Sequence, residues 1–326
     1  MASFSDARLH ELAGEILTRA GEVIIGKGDV IAEVFATLLA GGHVLLEDMP
    51  GVGKTTLALT FSRLIGLECT RLQLTPDVMP SDITGFSVYQ RDEAGRGSFA
   101  YQRGAVFCNL LLADEINRTS PKTQSALLEA MEERSVTVDG VTRPLPEPFF
   151  VIATQNPLGS AGTQALPLSQ LDRFMTSASL GYPDLASEVE IARGTGLRPR
   201  TEGLAQLIDA ETLSAMQRAA AATFVHDEVL EYAVRLVRAT REHPSLAVGA
   251  SPRAALALVQ MARAASWLNG EEFVSPAAVE RQFAPVVRHR VALRTEARLD
   301  GTRVEDVLAD IAAHVAHPRL VRGARR

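Results

Sequence analysis

Lysine is nearly missing from this chain: of 33 basic residues, only Lys27, Lys54 and Lys122 are lysines. A GC-rich coding bias accounts for the ratio, and it makes each surviving lysine conspicuous. Cysteine is also sparse. Cys69 and Cys108 form no CxxC pair and sit in apolar surroundings, which argues against a disulfide scaffold or a thiolate zinc site and for buried free thiols. Nor is there an excess of positive charge. A net charge of −6 lacks the basic stripe of a nucleic-acid track, and the arginine-rich end (Arg319, Arg322, Arg325, Arg326) reads as a tail. No run approaches the roughly 18 apolar residues of a membrane span. The first residues, MASFSDARLHELAGEIL, place acids where a signal peptide would be continuously apolar. A soluble, cytoplasmic protein is expected.

What is present is an ordinary globular balance, 46% hydrophobic and 22% charged over 326 residues, enough for about two domains. Up to residue 183, apolar runs alternate with helix-like segments, the pattern of an α/β fold with a parallel central sheet flanked by helices. Strands are predicted at His43–Glu47, Thr70–Leu74, Leu110–Ala113, Phe149–Ala153 and Met175–Leu180. Leu110 to Ala113 are apolar without alternation, as in a strand covered on both faces. Two hairpins interrupt the pattern. One spans Phe86–Arg103 around Gly95 and Gly97; the other turns at Asp139-Gly140, between Val138 and Val141.

After Tyr182-Pro183 the pattern becomes helical only. Val229, Tyr232, Ala233, Leu236 and Val237 recur at helical spacing, as do Ala254, Ala255, Leu258, Met261 and Ala262. Ser251-Pro252 and Ser275-Pro276 each match an N-cap followed by proline at the first helical position. The chain is therefore expected to divide into residues 1–183, an α/β domain, and 184–326, an all-helical one.

Between the first predicted strand and the next helix lies Asp48-Met49-Pro50-Gly51-Val52-Gly53-Lys54-Thr55-Thr56. Strand, glycine loop and helix come in the order a phosphate-binding loop requires: after Pro50, Gly51 and Gly53 let backbone N–H groups of Gly51-Val52-Gly53 turn inward, and the helix N-terminus adds its positive end. Lys54 would reach the β- and γ-phosphates, and the Thr55 hydroxyl would ligate Mg²⁺. The loop departs from G-x-x-x-x-G-K-[ST] at its first position, where Asp48 replaces glycine. The residues that face phosphate are all present.

Leu110–Ala113 runs into Asp114-Glu115, two carboxylates at the carboxyl end of a strand, where open α/β sheets bind ligands. Asp114 suits the oxygen shell of Mg²⁺, and Glu115 suits the base that deprotonates an attacking water. The strand Phe149–Ala153 ends in Thr154-Gln155-Asn156. Its amides suit either a contact to water or γ-phosphate, or a turn-forming Asn-Pro. No N-K-x-D and no G-x-G-x-x-G occurs, which leaves an adenine nucleotide, ATP, as the expected ligand.

Several runs together resemble the MoxR family of AAA+ ATPases. They are Ala113-Asp114-Glu115-Ile116-Asn117-Arg118, Pro121-Lys122-Thr123-Gln124, Leu127-Leu128-Glu129-Ala130-Met131-Glu132-Glu133, Ala153-Thr154-Gln155-Asn156-Pro157, Gln170-Leu171-Asp172-Arg173-Phe174 and Gly249-Ala250-Ser251-Pro252-Arg253. The Asp48 variant of the loop is familiar in such proteins. The resemblance implies a P-loop NTPase core with a helical lid, Asn156 at the sensor 1 position, Arg173 as an arginine finger for the neighbouring subunit, and Arg253 as the sensor 2 arginine of the lid. It also implies that Ile24-Ile25-Gly26 borders the adenine, with Lys27 beside it facing water. The implied assembly is a homo-oligomeric ring, hexameric in this family, with the hairpins facing its centre. The implied activity is Mg²⁺-dependent ATP hydrolysis that remodels a client protein complex, often with a von Willebrand A domain partner. Two other readings stay open: a motor of the same fold, either a magnesium-chelatase-like subunit or a nucleic-acid translocase, and an ATP-gated scaffold with little hydrolysis.

Overall fold

The computed structural model describes residues 5–49, 51–91, 96–156, 165–193, 201 and 203–318. Pro50, the tip of the first hairpin and the arginine-rich end lie outside these residues. Two helices, Asp6–Val23 and Gly28–Leu39, precede strand β1 (Val44–Glu47). Helix Lys54–Ile65 follows, then β2 (Cys69–Gln73), the hairpin β3 (Gly85–Arg91) and β4 (Gly97–Arg103), and β5 (Leu110–Asp114). Helix Pro121–Glu133 leads to the hairpin β6 (Ser135–Val138) and β7 (Val141–Pro144), then to β8 (Phe150–Gln155) and β9 (Thr176–Ala178). All five predicted strands are present within a residue or two, except that β9 ends at Ala178.

The strand order is β2-β5-β8-β1-β9 and every pairing is parallel. Residues of alternate parity face two separate cores, which is why the strands read as unbroken apolar runs. Leu45, Leu111, Ala113, Val151 and Ala153 pack on the side of helix Pro121–Glu133. Val44, Leu46, Leu110, Leu112, Phe150 and Ile152 pack on the opposite side, in a core that continues through the first three helices into those after residue 209. Both hairpins form, and at the second Asp139 and Gly140 have φ of 54° and 73°, the left-handed pair a tight I′ turn requires.

Beyond residue 184 helices dominate, chiefly Ala210–Ala221, Asp227–Glu242, Pro252–Leu268, Pro276–Val287 and Val304–His314. The expectation of helices alone is corrected by a two-stranded antiparallel ribbon, β10 (Leu246–Val248) with β11 (Ala292–Leu293). Strands this short leave no periodicity to read. No described helix is long and apolar enough to cross a membrane.

Candidate active site

Parallel register brings Gln73 beside Asp114, and Glu47 beside Gln155, so the carboxyl ends of β2, β5, β8 and β1 share one edge of the sheet. Above that edge lies an open cleft of about 410 Å³, lined by Gly51, Gly53, Lys54, Thr55, Thr56, Asp114, Glu115 and Asn156 among others. The sequence-predicted phosphate loop, carboxylate pair and sensor 1 position are thus in one place. Gly51 and Gly53 have φ of 88° and 99°, which an L side chain resists, and a Cβ on either would meet no other atom within 4 Å. The cradle is open toward the cleft. Val52 packs partly against the core.

Lys54 Nζ donates to the carbonyls of Asp48 and Met49 at 2.8 and 3.0 Å. Burial lowers its pKa, while Asp48, Asp114 and Glu115 oppose that shift. Asp48 is itself buried. Its carboxylate accepts hydrogen bonds from Ser179 Oγ, Leu180 N–H and Gly181 N–H at 2.7, 2.6 and 2.9 Å. The replacement of glycine at the start of the loop therefore ties the phosphate cradle to the segment that leaves β9.

Thr154 is the organising residue between the two carboxylates. Its hydroxyl donates to Asp114 Oδ1 at 2.6 Å and accepts from Glu115 N–H at 2.9 Å. Glu115 has φ of 59°, an uncommon conformation for a residue with a side chain, and the Thr154 bond holds it there. Glu115 Oε2 accepts from Arg118 Nη1 at 2.7 Å and Gln73 Nε2 at 2.9 Å, and Arg71 Nη2 donates to Asp114 Oδ2 at 2.8 Å. Thr154, Gln73 and Arg71 were not singled out by sequence reasoning. Only the pairing of β2 and β8 with β5 makes them neighbours of Asp114. The Thr55 hydroxyl and Asp114 carboxylate form a hard, all-oxygen donor set, the chemistry that fits Mg²⁺.

Ile25 and Gly26 lie outside the cleft lining, in the turn between the first two helices. Lys27, expected to face water, is half-buried and also donates to the Tyr182 carbonyl at 2.8 Å in a bond that stays open to solvent. Asp48, Gly181, Tyr182 and Lys27 thus connect the turn to the phosphate loop.

Arg173 and Arg253 are elsewhere. Thr176 pairs with Val44, the first residue of β1, so Arg173 lies at the amino ends of the strands while Lys54 follows their carboxyl ends. A four-residue strand alone separates these ends by about 10 Å. Arg173 Nη1 pairs with Glu132 Oε2, and Arg253 Nη2 with Glu132 Oε1. Arg253, expected at the sensor 2 position, thus lies outside the lining of this chain's cleft, paired with Glu132 toward the other end of the sheet.

The description "ATPase family associated with various cellular activities (AAA)" matches residues 43–176, and an AAA lid domain matches 238–311. The chain is 43% identical over 310 residues to the uncharacterized protein YeaC of Bacillus subtilis (strain 168), covering 95% of this chain and 96% of that one. It is 39% identical over 323 residues to Chaperone MoxR1 of Mycobacterium tuberculosis, covering 96% and 84%. The crystal structure of a provisionally assigned ATPase from Cytophaga hutchinsonii superposes with a TM-score of 0.88 at 32% identity, covering 96% and 97%. Loop, carboxylate pair, lid and full-length similarity agree, and the chain belongs to the MoxR family of AAA+ ATPases.

Proposed function

We propose that this protein hydrolyses ATP in a ring, hexameric as its family resemblance implies, and uses the cycle to remodel or activate a partner protein complex. The observation that carries the reading is the separation of complementary parts: phosphate loop and carboxylates at one end of the sheet, two paired arginines at the other. One chain thus holds half of each of two active sites, and neighbouring chains complete them.

In this reading Gly51 to Gly53, following Pro50, and the helix start at Lys54–Thr56 bind the phosphates through backbone N–H groups, and Ile25-Gly26 borders the adenine. Lys54 exchanges its carbonyl partners for β- and γ-phosphate oxygens. Thr55 and Asp114 hold Mg²⁺, which when bound neutralises phosphate charge. Glu115 accepts the proton of the attacking water, with Gln73 and Arg118 fixing its carboxylate and Asn156 at the γ-phosphate side. Arg173 and Arg253 meet the charge spread over the phosphoryl oxygens of the neighbour's nucleotide, for which a planar guanidinium is suited. Residues 1–183 form the nucleotide-binding domain and 184–326 the lid. A von Willebrand A domain protein fits the partner role, and the cytoplasm, where ATP is available, fits the location.

Glu115→Gln tests the chemistry: ATP binding should persist within a few-fold while turnover falls by at least about 10²-fold. Turnover near wild type would remove Glu115 as the base. Mixing tests the shared site. Lys54→Ala subunits, which can offer only arginines, should restore turnover to inactive Arg173→Ala subunits, which keep a sound cleft. No recovery despite demonstrated co-assembly would refute completion by a neighbour.

A further inference from the structure

Helices Pro252–Leu268 and Pro276–Val287 begin with the same dipeptide, yet their serines do different things. Ser275 Oγ accepts from Ala278 N–H at 3.1 Å, the expected capping bond. Ser251 has the same extended backbone but makes no capping bond. Its hydroxyl donates instead to Asp172 Oδ2 at 2.9 Å. The predicted cap is thus corrected: the helix forgoes it, and the hydroxyl reaches across to the segment that carries Arg173.

The other carboxylate oxygen of Asp172 accepts from Arg290 Nε at 2.8 Å. Arg290 is only 4% exposed, and its remaining donors go to backbone carbonyls on both sides of the junction. Nη2 donates to Asp172 and Phe174 at 3.2 and 2.6 Å, and Nη1 to Met175 at 2.9 Å and to Val286. A buried, fully engaged guanidinium therefore clamps residues 172–175 onto the end of helix Pro276–Val287, and Asp172 extends the clamp to Ser251. Arg173 is the next residue after Asp172, and Arg253 lies two positions after Ser251. At their tips both arginines meet Glu132.

We propose that Ser251 and Asp172 are positioning residues: the Ser251–Asp172–Arg290 clip joins Arg173 and Arg253 into one unit that is presented as a pair to the neighbouring subunit's nucleotide. The inference rests on the reading above that these arginines act on a neighbour. Two long side chains from separate segments would otherwise lose their freedom only on meeting the transition state, and fixing their bases beforehand removes part of that cost.

The test uses the full-length chain. Ser251→Ala, which loses one hydroxyl, should lower kcat roughly three- to tenfold, the worth of one hydrogen bond, while KM for ATP stays near wild type and Ser251→Thr restores turnover. The decisive measurement is in trans. Lys54→Ala subunits and Lys54→Ala/Ser251→Ala subunits are each mixed with Arg173→Ala subunits, so that all turnover depends on arginines from the donor. Recovery should be three- to tenfold weaker with the doubly substituted donor. Equal recovery from both donors would overturn the clip, as would a Ser251→Ala variant that only melts earlier. No recovery from the Lys54→Ala donor itself would overturn the shared-site reading and the clip with it.

Discussion

The two ends of the parallel sheet are built on opposite principles. At the carboxyl ends of the strands, two short local motifs do most of the work: positive-φ glycines run straight into a helix start, and adjacent carboxylates close β5, the two motifs being brought together by the parallel sheet. At the amino ends, the arginines depend on partners about 41 and 121 residues away, at Glu132, and on a clamp from Arg290. In the proposed reading, the first end binds its nucleotide with residues of one chain. The second acts, in that reading, only across an interface, on the nucleotide of a neighbouring chain.

Substituting each end should separate these roles. The largest effect is expected for Arg173→Ala, with turnover down by roughly 10³-fold or more and ATP affinity in the same chain little changed; a large loss of ATP affinity would place Arg173 in its own cleft and erase the contrast. A smaller, pH-dependent effect is expected beside the arginine end at Glu33, whose pKa burial raises to about 7 although Arg288 partly opposes it. The folded chain holds this proton more tightly than the unfolded one. Stability therefore falls as pH rises from about 4.5 to 7, by roughly 3 kcal/mol when the shift is converted at 1.36 kcal/mol per unit. Glu33→Gln should raise the melting temperature at pH 8 and change it little at pH 4.5; a difference constant across that range would exclude Glu33 as the source. The smallest effect is expected for Asp48→Asn, which weakens three hydrogen bonds to residues 179–181. About 2 kcal/mol of stability should be lost, together with a several-fold rise in KM for ATP. Loss of stability with KM unchanged would show that the tether does not reach the phosphate loop.

Legibility in the sequence follows the same division. Buried parallel strands announce themselves as apolar runs, and a phosphate loop needs glycine where φ is positive, so β1, β5, β8 and Lys54 could be found locally. Thr154 could not be weighted, because its bonds to Asp114 and Glu115 exist only once β8 lies beside β5. Gln73 depends likewise on β2 pairing with β5. Ser251-Pro252 shows the limit of a local rule: the dipeptide correctly marked a helix start, but a long-range carboxylate took the hydroxyl. The Lys27 contact was invisible for a similar reason, since its carbonyl partner at Tyr182 lies far away in the chain.

Asp48 puts a carboxylate in the wall of a cradle meant for anions, which would repel the ligand if its charge pointed inward. All three of its hydrogen bonds run the other way, into residues 179–181, where its charge is spread over an hydroxyl and two peptide groups. Those residues lead directly into the segment held by Lys27 and onward to the lid. The phosphate loop is thus moored to the approach to the lid, and any movement of one strains the mooring of the other.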